Sequence, residues 1–186
     1  MTDSPPTDQE LVFAIDQLFQ AAHRSAVFEY WSMVRMPLIR RLKELDISAA
    51  EDLFANAFLE NSLILIRKTA EFFKKKEKND KNDTLYVNRY LSNWSGDPVV
   101  GENEYKELHK RIGHLTLRET RHGKMPWEIQ SMTIRCIKTW IDFFEKVGSS
   151  PIYDANPPTK QLQDYVETLQ DILATCVKRQ IASSKL

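Results

Sequence analysis

The sequence is poor in the features that announce a familiar chemistry. Cysteine occurs twice, at Cys136 and Cys176, in apolar helical patterns far apart and with no Cys-x-x-Cys pair. That spacing suits two buried free thiols in a reducing compartment better than a disulfide framework. The five glycines form no phosphate-cradling loop, and there is no metal-ligand spacing, nucleophile motif, internal repeat or alternating strand pattern. No cofactor is therefore expected. No apolar run approaches the roughly twenty residues that a membrane-spanning helix needs. The acidic, proline-bearing start MTDSPPTDQE is unlike a signal peptide, so no membrane association is expected and a cytoplasmic location is. Net charge is missing too: 26 basic side chains face 26 acidic ones, and any attraction to a polyanion has to come from a local patch.

What is present is helical periodicity. With 186 residues, 42% apolar and 28% charged, the chain is long enough for one well-buried core and short for two. The pattern predicts an all-α, single-domain bundle of about five to six helices. Thr7 and Glu10 form a capping box that opens a first helix, with Leu11, Ile15, Leu18, Phe19, Ala22 and Ala26 at helical spacing; it runs to about Met36, before Pro37. Ser48 and Glu51 make a second box, and the helix it opens runs to about Lys76 with almost no polar face, which predicts a place in the middle of the bundle. Arg67 is its odd member, a guanidinium that must snorkel outward or meet a partner.

After the solvated run KKKEKNDKND, the segment LYVNRYLSNW is expected as a short aromatic helix. A further helix starts near Pro126, carries Ile129, Met132, Cys136, Ile137, Trp140, Phe143, Phe144 and Val147 on its stripe, and stops at Gly148. SSPIYDANPPT reads as a proline-rich linker. The last helix, from Pro158 or Thr159, has a regular seam of Leu162, Tyr165, Val166, Leu169, Ile172, Leu173, Cys176 and Val177, suited to covering the bundle or to a dimer contact.

Function points to the stretch from Tyr105 to Trp127, YKELHKRIGHLTLRETRHGKMPW, which holds three of the four histidines. Its basic side chains Lys106, Lys110, Arg111, Arg118, Arg121 and Lys124 outnumber Glu104 (just before it), Glu107 and Glu119. On a helix, Arg111, His114 and Arg118 share one face, while Leu108, Ile112 and Leu115 form the neighbouring apolar stripe. Like charge disfavours the protonated imidazole between two guanidiniums, so His114 would be a neutral base beside fixed positive charge. Such a face suits an anionic ligand.

Two blocks carry a family resemblance: NAFLENSLILIRKTAEFF, with Arg67 near its middle, and HKRIGHLTLRETRHGKMPW, with RYLSNW between them. They resemble the HEPN superfamily (higher eukaryotes and prokaryotes nucleotide-binding), near its abortive-infection-type branch of bacterial all-helical proteins. The matching region runs from about Ser48 to Phe144. The resemblance implies a single HEPN-like helical domain over residues 8–182, with disordered ends at 1–7 and 183–186. It also implies a homodimer, and polar residues of paired helices facing a shared cleft.

Many members are metal-independent endoribonucleases whose motif starts with arginine and ends with histidine. Here HKRIGH stands in that place, so His109 occupies the arginine position and Arg111 lies two residues closer to His114. On the cleavage alternative, His114 is the base, His109 or His122 the acid, and Arg111, Arg118 and Arg67 the cations for the pentacoordinate phosphate, with Thr116 as an orienter. Because the motif departs at His109, the first expectation is a module binding RNA, a nucleotide or a protein partner in a phage-defence or toxin-antitoxin setting, with Arg67, Arg118, Thr116 and Arg121 as ligand contacts. A purely structural or interaction role is the remaining alternative.

Overall fold

The computed structural model describes residues 6–34, 44, 48–74, 85–111, 128–153 and 158–183, with the backbone alone at 27–34, 48–58, 111 and 179–183. Five α-helices are delimited among the described residues: α1 (Asp8–Val34), α2 (Ser48–Phe73), α3 (Glu102–Arg111), α4 (Ile129–Val147) and α5 (Thr159–Ser183). Two 3-10 turns, Val87–Arg89 and Pro151–Tyr153, lie between them, and no strand occurs among these residues. The all-α bundle expected from periodicity is the architecture found.

Helix α1 begins where its capping box places it. The Thr7 amide donates to the Glu10 carboxylate at 2.7 Å, and the Glu10 amide donates back to the Thr7 hydroxyl at 3.3 Å, so two otherwise orphan donors are satisfied. Leu11, Ile15, Leu18, Ala22 and Ala26 are all buried, as their spacing requires. Thr7 is thus part of the cap, and Ser183 closes α5; residues 1–5 and 184–186 lie outside the described residues, as do Pro37 and the basic loop after Lys74.

Helix α4 lies in the middle of the bundle, and α2 packs against α1, α3 and α4. Met132, Thr133, Ile134, Cys136, Ile137, Trp140, Ile141, Phe143, Phe144 and Val147 are buried, and α4 packs against α1, α2 and α5. Leu59 and Ile64 of α2 are exposed. In the run from Leu63 to Ile66, Leu63 and Ile66 are buried and Ile64 turns outward, as four consecutive apolar residues on a helix must spread over more than one face. The stripe of α5 covers α4 and α1: Leu162, Leu169 and Cys176 are buried, and Tyr165, Val166, Ile172, Leu173 and Val177 pack half-buried beside them.

An aromatic cluster joins these layers. Phe72 stacks on Trp140 at 5.0 Å, Phe73 meets Trp94 at 5.2 Å and Trp140 at 4.8 Å, and Phe143 lies edge-on to Tyr90 at 5.6 Å. Each such pair adds roughly 0.5–1.5 kcal/mol beyond its buried area. The Trp140 indole N–H donates to the buried Thr69 hydroxyl at 3.3 Å, so the cluster leaves that polar group satisfied.

Two local expectations are corrected, and a third is met. The segment from Leu85 to Trp94 makes only the 3-10 turn Val87–Arg89 and further tight turns, not a helix, because Tyr86, Val87, Tyr90 and Trp94 are all drawn into the core and the Tyr90 carbonyl is taken by the Ser150 hydroxyl. The SSPIYDANPPT linker is structured at its start: Tyr153 is buried and its amide donates to the Ser150 carbonyl at 3.1 Å. Gly148 ends α4 as expected, in the right-handed conformation (φ −60°, ψ −22°). Its small size serves packing, since a Cβ there would lie 3.2 Å from the Leu162 side chain.

Candidate functional site

Helix α3 is the stem from which the basic stretch grows, and its start is tightly fixed. Gly101 precedes it; the Gly101 amide donates to the Glu104 carboxylate at 2.7 Å, and its carbonyl accepts the Tyr105 amide at 2.8 Å. The same Glu104 carboxylate takes Arg135 of α4: Nη2 lies 2.9 Å from Oε1 and 2.8 Å from Oε2. Arg135 Nε also donates to the Val99 carbonyl at 3.1 Å. One guanidinium therefore ties α4, the segment before α3 and the first turn of α3 together.

Leu108 is fully buried and faces the core, while the next residue, His109, is exposed. His109 stacks on Tyr105 one turn earlier, with centroids 6.4 Å apart and planes within 9°. Glu102 and Lys106 form an exposed i,i+4 pair at 2.5 Å, and the Lys106 ammonium holds the Glu102 carboxyl below its usual range.

Arg67 lies on α2, which packs against α3. Its Nε donates to Glu71 Oε1 at 2.7 Å, with 26% and 38% of the two side chains exposed. This is the ordinary answer to a guanidinium in an apolar helix. A pair of this kind is worth only ~0.2–1 kcal/mol at the surface.

The structure thus brings Arg67 and the exposed His109 onto neighbouring helices. Arg111 ends the described part of α3 with its backbone alone, and His114, Thr116, Arg118, Arg121 and His122 lie outside the described residues. Arg135 is the site-forming residue that periodicity does not reveal. In IQSMTIRCIK it looks like a polar interruption of an apolar stripe, and only the fold shows that it reaches Glu104, 31 residues away in sequence.

Chemistry at cysteine has no support here. Burial pushes the Cys136 thiol up to about 12 despite the Arg135 guanidinium beside it, so it stays protonated and unreactive near neutrality. Among the described residues no three His, Cys, Asp or Glu side chains come together to hold a metal, and no helix is long and apolar enough to cross a membrane. The chain matches no protein-family model, no characterised protein and no solved structure.

Proposed function

We propose that this chain is a helical module that binds a phosphate-bearing ligand, RNA or a nucleotide, through α3 and the basic residues that follow it, with Arg67 of α2 contributing a cation. The observation that carries the reading is the packing of α2 against α3, which puts the helix of Arg67 beside the stem that leads to Arg111, His114 and Arg118. A ligand held there finds the exposed His109 imidazole, backed by the half-buried Tyr105 ring, for a base, and guanidiniums for phosphate oxygens. Glu104 adds no repulsion of its own, because Arg135 neutralises it.

Binding ranks above cleavage on one observation. His109 stands where the endoribonuclease motif has arginine, and it is an exposed side chain stacked on Tyr105. The Arg67–Glu71 pair favours a second reading, in which Arg67 is purely structural.

Fluorescence anisotropy with a labelled single-stranded RNA of mixed sequence separates these readings. Affinity is expected to fall as salt rises, with a log–log slope of about −0.7 per phosphate contact. Arg111→Ala and Arg118→Ala are each expected to weaken binding and reduce the slope by about one contact. Salt-independent or absent binding contradicts the proposal. Incubating the same RNA without metal tests the nuclease alternative, which requires cyclic-phosphate ends that disappear in His114→Ala.

A further inference from the structure

We draw no further inference here: the strongest candidate, the mainly apolar cavity of about 300 Å³ between the end of α2 and the start of α3, shares Tyr105 with the phosphate-binding face proposed above, and nothing in the structure shows what fills it.

Discussion

Leu108 and His109 are adjacent on α3, yet the structure gives them opposite stability consequences. Leu108 is 0% exposed within the main core, whereas His109 projects to solvent over Tyr105. Truncating Leu108 to alanine removes buried methyl groups and leaves a cavity between α3 and its neighbours, a change that costs about 2–5 kcal/mol. For a chain of this length each kcal/mol moves the thermal midpoint by about 2–4 °C, so a loss of ~3 kcal/mol lowers it by about 6–12 °C. His109→Ala removes an exposed ring contact and is expected to stay within about 0.5 kcal/mol of the parent. Urea unfolding followed by circular dichroism measures both. If Leu108→Ala cost less than about 1 kcal/mol, or if the two variants matched, the docking of α3 on the bundle described above would be wrong.

Further outcomes follow from the same contacts. In a double-mutant cycle, Arg135→Met and Glu104→Gln are expected to couple by about 0.5–1 kcal/mol, a modest figure because 40% and 31% of the two side chains are exposed; strictly additive losses would remove the clamp from the account. Gly96→Ala would place a Cβ 2.4 Å from the Trp94 ring, which is buried and cannot move freely, so a loss of about 1–3 kcal/mol is expected in the same unfolding assay. A neutral result would mean that the ring does not lie over Gly96.

Alkaline pH gives a fourth test. Burial raises Cys136 from 9.0 to about 12 and Tyr153 and Tyr165 from 10.0 to about 12, with the Asp16 carboxylate adding to the effect on both tyrosines. The native state then holds protons that the unfolded chain has released, so stability is intact below about pH 9 and declines as the pH rises to about 12. Urea midpoints that stay flat across that window would contradict the burial of these groups.

The parts of the fold legible in the sequence are those set by local rules. The Thr7–Glu10 box places the start of α1 because the two residues satisfy each other without help from the rest of the chain. The seams of α4 and α5 are legible because an apolar stripe at helical spacing has one way to be buried. What stayed hidden depends on partners remote in sequence. The turn at Val87–Arg89 exists because Ser150 takes the Tyr90 carbonyl and the Leu11 carbonyl accepts from the Tyr90 hydroxyl at 3.2 Å. Neither partner can be read from LYVNRYLSNW.

The candidate site divides in the same way. Arg67 stands out in the sequence as a charge in an apolar run that must snorkel or meet a partner, and the structure supplies one in Glu71, four residues on. Arg135 did not stand out, since its role as a clamp comes wholly from where α4 passes the first turn of α3. The cavity between α2 and α3 was equally invisible: Ala70, Val99 and Tyr105 belong to three unremarkable patterns until the packing brings them together.

The central claim is that α2 and α3, with the residues that follow, present one surface to a phosphate-bearing ligand. Arginine side-chain N–H spectra recorded while single-stranded RNA is titrated into the labelled chain test it directly. The Nε–H signals of Arg67, Arg111 and Arg118 are expected to shift along one shared saturation curve, and that of Arg135, engaged with Val99 and Glu104, to stay in place. An unmoved Arg67, or arginine signals that saturate at unrelated RNA concentrations, would contradict a shared surface.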